Sequence, residues 1–175
     1  MADLLALSSR IIDSGVVDEP VNRITNELSE IADGLAVVES FSHSVVLDAG
    51  DGLVAFDASH ARTGADVVAA IRTWTSTPVT HLVYTHGHAD HVGGSPAFAA
   101  AFGDMTVVGH REVDTRFDRY VYTNDWNVRI NARSLADEGL RASFLERADA
   151  SIAAGRSAVF ALCDAVNGEL IGAAG

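Results

Sequence analysis

Three histidines and one aspartate, His86, His88, Asp90 and His91, fall within six consecutive positions of the stretch Leu82-Val83-Tyr84-Thr85-His86-Gly87-His88-Ala89-Asp90-His91-Val92-Gly93-Gly94. An apolar, β-branched run ends there in imidazoles, a carboxylate and glycines, which suits a metal-binding loop better than the interior of a helix or strand. Imidazole nitrogen and carboxylate oxygen are the donors that zinc and similar divalent ions take when no thiolate is offered. On an extended backbone side chains alternate, so His86 and His88 share a face and can converge on one ion. Asp90 and His91 follow after a turn and can address a second ion beside the first. The plain alternative is a polar loop whose histidines are merely solvated.

Such a loop needs a frame, and the residues before it supply one. Leu35–Val38, Ser44–Leu47 and Leu53–Phe56 are short β-favouring runs, the last two joined by the hairpin turn Ala49-Gly50-Asp51-Gly52. Thr63, with Asp66 three residues on, predicts a helix start, and Val67, Ile71 and Trp74 form one apolar face. Pro78-Val79 opens the strand that leads to His86. Strand, helix and strand in this order imply a crossover, with ligands gathered beyond the carboxyl ends of the strands. Asp57 lies at that end too. It reads either as a carboxylate that takes a ligand histidine's second N–H and fixes its tautomer, or as an ordinary helix-entry aspartate.

The flanks carry less chemistry. Leu4–Ile12 predicts an amphipathic helix ended by Ser14-Gly15, and residues 16–30, with Pro20, read as an arm. Ser95-Pro96 reads as a helix cap followed by proline at the first helical position, and Met105–Val108 as a further strand. Phe117, Tyr120, Tyr122, Trp126 and several arginines between Arg116 and Arg133 form either a packed helix with a solvated face or the lining of a pocket for an apolar anionic substrate. Ser134 and Asp137 predict the cap of a helix running toward Ala154, with Leu145, Ala148 and Ile152 on one side, and Ala158–Leu162 a last strand. His43, His60, His81 and His110 read as surface or neighbour-bonded histidines.

Composition removes other classes. The formal charge of −12 leaves no basic face for nucleic acid. All twelve cations are arginine, which excludes a Walker-type phosphate loop and Schiff-base lysine chemistry. A lone Cys163 allows no intrachain disulfide. No apolar run approaches the roughly 18 residues of a membrane span, and a cytoplasmic location is expected.

His86-x-His88-x-Asp90-His91, after an apolar strand and before Gly93-Gly94, resembles the signature of the metallo-β-lactamase-fold hydrolases. The resemblance implies that His86 and His88 bind a first zinc ion and Asp90 with His91 a second, that Asp57 supports a ligand histidine, and that Asp90 also orients the nucleophile. It implies an α/β architecture of the α+β sandwich type, of which only the N-terminal half is recognisable, and cleavage of an ester, sulfate ester or amide bond in a small, anionic substrate. Asn22-Arg23-Ile24, Arg116–Tyr120 and Val128–Asn131 are similar to the alkylsulfatase-like branch. Later family ligands have no match: no histidine follows His110, and Asp164 lacks the glycine that usually precedes the bridging aspartate.

The expected organisation is therefore an arm over 1–34, a half-domain over 35–133 with its metal loop at 86–94, and a departing helix and tail over 134–175. A truncated chain that binds metal weakly or not at all is the competing expectation. Its uncovered sheet face would favour homo-oligomers, unless the Leu145, Ala148 and Ile152 stripe patches that face.

Overall fold

A computed structural model of the protein describes residues 3–16, 23–133, 135, 137–154, 162–163 and 170–171. The chain divides into two compact units, Met1–Arg111 and Glu112–Gly175. In the first unit the helices are α1 (Leu4–Ser14), α2 (Gly64–Trp74), the single turn α3 (Ala89–Val92) and α4 (Ser95–Phe102). Its strands are β1 (Leu28–Ala32), β2 (Leu35–Val38), β3 (Ser44–Asp48), β4 (Leu53–Phe56), β5 (Val79–Val83) and β6 (Thr106–Val108). The architecture is mixed α/β, as expected.

The six strands form one sheet in chain order, antiparallel from β1 to β4 and parallel from β4 through β6. β1 departs from the expected arm: Leu28–Ala32 pairs with β2 across a turn where Gly34 takes φ 70°. An edge strand carrying Ser29 and Glu30 gives little apolar alternation to read. Asp3 caps α1 by accepting from Ala6 N–H at 2.9 Å, and Gly15 closes the helix at φ 65°.

Alternation along the strands sends Ala36, Val38, Val46, Leu53, Ala55, Val79 and Leu82 into one core, where they meet Val67 and Ile71 of α2 and Phe98 of α4. Burying each of the larger side chains stabilises the unit by about 1.5–3 kcal/mol. The opposite face is also apolar. Register places Leu35 opposite Leu47, Val37 opposite Val45, Val45 opposite Phe56, and Phe56 opposite Val83. These side chains are only half-buried, and Leu47 is 39% exposed.

Two helix starts differ from expectation. Thr63 precedes α2, but its hydroxyl makes no cap bond; it lies 2.9 Å from Ser59 Oγ instead. Ser95 is the first residue of α4 rather than its cap, and its hydroxyl donates back to Val92 O at 2.6 Å. In both cases a tertiary or preceding-turn partner outcompetes the helix N–H groups.

The second unit holds α5 (Val113–Ala132), broken at Thr123, and α6 (Glu138–Ala153). Val128 and Ala132 pack with Phe144 and Ala148. Asp137 caps α6 by accepting from Leu140 N–H at 2.8 Å. The aromatic and arginine run is therefore helical, with Tyr122 and Trp126 exposed. Two short strands, β7 (Leu162–Cys163) and β8 (Leu170–Ile171), pair antiparallel. Pro20, Asn22, Ser134, Asp164 and residues 172–175 lie outside the described residues, as do the side chains of Tyr120, Asn131 and Ile152. Among the described residues no helix is long and apolar enough to cross a membrane.

Candidate functional site

The parallel pairing of β4 with β5 sets Phe56 beside Val83, so the segments leaving both strands run side by side. Asp57 N–H donates to Val83 O at 2.8 Å, which aligns its side chain with Thr85 and the histidine loop. Asp57 is buried and takes φ 61°, a left-handed conformation that aspartate tolerates better than most residues. Its carboxylate accepts three bonds: Thr85 N–H at 2.8 Å, the Thr85 hydroxyl at 2.6 Å, and His91 Nδ1 at 2.7 Å. With the proton on Nδ1, the ring is oriented and Nε2 is left as the lone-pair nitrogen.

Glycine permits the two loops to meet. Ala58 N–H donates to His91 O at 2.6 Å and Gly94 N–H to Ser59 O at 2.9 Å. A methyl group at Gly94 would overlap the Ala58 carbonyl oxygen and come within 2.9 Å of Gly64 Cα. At Gly93 it would approach Ala61 N to 2.9 Å. The glycine pair after the histidines is therefore required for close approach, not merely for a turn.

His86, His88 and His91 cluster. The His86 ring centroid is 4.5 Å from that of His88 and 4.0 Å from that of His91, while His88 and His91 are 6.5 Å apart. Asp90 Oδ2 lies 3.4 Å from His91 Nε2. The donor types suit zinc, and Asp57 behind His91 is the support a ligand imidazole needs. As the side chains stand, no three His, Cys, Asp or Glu groups among the described residues could hold a metal ion together. The loop thus offers donor types that suit the ion, with one ring fixed from behind, but no assembled ligand shell among the described residues.

The other histidines lie elsewhere. His43 Nδ1 is 3.1 Å from Ser40 O, and His81 Nδ1 is 3.0 Å from Thr80 Oγ1, so both are bonded to neighbours as expected. His110 is exposed. His60 is buried, edge-on to Phe41, and its Nδ1 accepts from Arg62 N–H at 3.2 Å. Burial, and then the Arg62 charge, hold its pKa below the ordinary histidine value, against an opposing pull from Asp90.

Sequence reasoning did not single out Thr85 or Ser42. Thr85 was reachable, because in-register parallel strands bring position 85 beside Asp57. Ser42, whose hydroxyl lies 3.1 Å from His91 Nδ1, comes from the β2–β3 loop and has no local signal.

The model of the metallo-beta-lactamase superfamily matches residues 37–152, a span that contains every one of these loop residues. The chain belongs to the metallo-beta-lactamase superfamily. Solved structures of superfamily members resemble it in part. A metallo-beta-lactamase with a HARLDQ motif from Cronobacter sakazakii is 16% identical, with 59% of this chain and 44% of that one covered at a TM-score of 0.48. MEM-A1, a subclass B3 metallo-beta-lactamase from a soil metagenome library, is 20% identical over 49% of this chain and 33% of its own, at 0.43. MIM-1 from Novosphingobium pentaromativorans is 27% identical over 45% and 30%, at 0.40. The chain spans less than half the length of these superfamily members. No curated protein matches. It is the family-model match over residues 37–152 that places the chain in the superfamily, and that match assigns no branch within it, the alkylsulfatase-like one included.

Proposed function

We propose that the chain carries the metal-binding loop of a zinc-dependent hydrolase acting on an ester, sulfate ester or amide bond of a small anionic substrate. The observation behind this reading is the His91 ring, held at Nδ1 by the buried Asp57 carboxylate at 2.7 Å within a cluster of three imidazoles. In this reading His86 and His88 hold one ion, and Asp90 and His91 a neighbouring one. Bound zinc supplies Lewis acidity at the scissile bond and lowers the pKa of water to about 7. The residues of this chain do the rest. Asp57 and Thr85 set the His91 tautomer, Asp90 orients the attacking water, and the Gly93-Gly94 pair lets the two loops close.

Each ion finds two ligands in the loop, whereas a catalytic zinc site has three protein ligands. Zinc binding to this chain should therefore be loose unless a second chain contributes the remaining donors. Chelator-competition titration of the purified chain tests this. His86→Ala and His88→Ala should each reduce zinc affinity at least about tenfold and abolish any hydrolysis of chromogenic ester, sulfate ester or amide substrates. Hydrolysis that survives both substitutions and a chelator refutes the proposal.

A further inference from the structure

Three segments meet behind the histidine loop. They are the β2–β3 connection, the β4–α2 connection and the loop itself, and one residue bonds to all of them through its side chain or its backbone. Ser59 is fully buried and takes φ 63°, in the left-handed region that glycine, asparagine and aspartate enter more readily than serine. Its hydroxyl lies 2.9 Å from Ser40 Oγ, 2.9 Å from Thr63 Oγ1 and 3.3 Å from the Ser42 N–H. Its carbonyl accepts from Gly94 N–H at 2.9 Å.

The consequence falls on one imidazole. Two groups from different connections meet the His91 ring: the Asp57 carboxylate at 2.7 Å from Nδ1, and the Ser42 hydroxyl, which lies against the ring at 3.1 Å from Nδ1 and 3.4 Å from Nε2. Asp57 stands two residues before Ser59 in the chain, and Ser42 is bonded to Ser59 through its N–H. Ser59 is the residue both share. Thr85 fixes the Asp57 carboxylate, but its hydroxyl reaches Asp57 and His86 rather than the β2–β3 connection, so it does not couple the two connections.

We propose that Ser59 is the positioning residue for His91, holding Asp57 by the chain and Ser42 by its hydroxyl so that Asp57 takes the Nδ1–H and Ser42 lies against the ring. The inference rests on reading His91 as a ligand, yet the ring orientation it concerns is a property of the metal-free chain as well. This separates positioning from ordinary core packing. A core serine would change stability when replaced, whereas a positioning serine would also change the imidazole.

Ser59→Gly tests it, because glycine accepts φ 63° and the hydroxymethyl group is lost while the backbone path to Asp57 is kept. Ser40→Ala serves as the comparison, since it removes one bond from the same buried cluster and leaves the Ser59 bond to the Ser42 N–H and the chain path to Asp57 in place. The full chain carrying each substitution is examined three ways: thermal unfolding, the imidazole signals of His91 in ¹H–¹⁵N NMR without metal, and cobalt binding read from its visible absorption.

Ser59→Gly is expected to shift or broaden the His91 Nδ1–H signal and to weaken cobalt binding about tenfold, the scale of losing a supporting partner of a ligand histidine. Ser40→Ala is expected to lower thermal stability and leave both other readouts unchanged. An unaltered His91 signal in Ser59→Gly overturns the proposal, as does an equal change in both variants, which would mark general loosening. If the wild-type chain binds no cobalt while Ser59→Gly still alters the His91 signal, the positioning role stands and the zinc reading fails.

Discussion

Replacing Asp57 with asparagine isolates the chemistry of its carboxylate. Asparagine has nearly the same shape and accepts φ 61°, so the β4–α2 connection should keep its path. The hydrogen bonds cannot all survive. If the amide oxygen stays on Thr85 N–H, the amide N–H groups face the Thr85 hydroxyl and His91 Nδ1. Nδ1 must then accept, its proton moves to Nε2, and the nitrogen available to a metal loses its lone pair. If the amide flips, its N–H groups confront the Thr85 N–H in a part-buried site. Losing a bond to a charged group costs about 1.5–3 kcal/mol, and an unsatisfied buried donor about 1–3 kcal/mol. Either orientation therefore lowers unfolding stability by about 2 kcal/mol, measurable by urea denaturation. Zinc affinity should fall about 10–100-fold, or roughly 1.4–2.8 kcal/mol, by chelator competition. Wild-type stability and zinc affinity in Asp57→Asn would show that Asp57 is only a helix-entry residue, and the reasoning about His91 would fall with it.

Gly94→Ala should cost about 1–3 kcal/mol or more in urea unfolding, because the added methyl meets backbone at Ala58 and Gly64 rather than a side chain that can move; an unchanged midpoint would contradict the close approach of the loops. Stability should also depend on His60. Unfolded, it gains a proton near pH 6.5, while in the folded chain burial first and Arg62 second hold its pKa lower. The unfolded state then binds more protons below pH 6.5, so this contribution is complete above 6.5 and is lost as pH falls toward the depressed folded value. Urea midpoints between pH 5 and 8 should show this slope in the wild type and a shallower one in His60→Gln. Finally, the half-buried face around Leu35, Val45, Leu47 and Phe56 should make the chain self-associate, and Leu47→Arg should shift it toward monomer. A cooperative wild-type monomer in size exclusion with light scattering would refute that expectation.

What the sequence determined by itself is what depends on residue type and short spacing. His86, His88, Asp90 and His91 announced donor chemistry because four ligand-type residues in six positions have few other uses. The strands β2 to β6 and the helix α2 were legible because alternation and the i, i+4, i+7 stripe are local patterns. Asp57 could be placed near the loop from strand order alone, though not assigned a partner. Tertiary structure decided the remainder. β1 was missed because an edge strand with Ser29 and Glu30 owes its existence to pairing with β2, not to its own pattern. The hydroxyls of Thr63 and Ser95 chose partners other than helix N–H groups, a competition settled by what packs around them. The 2.7 Å contact of Asp57 with His91 joins residues far apart in the chain, as do the bonds of the Ser59 hydroxyl to Ser40 Oγ and the Ser42 N–H. Such contacts leave no periodic trace, because they depend on two connections meeting in space and on glycines at 93 and 94 that let them meet.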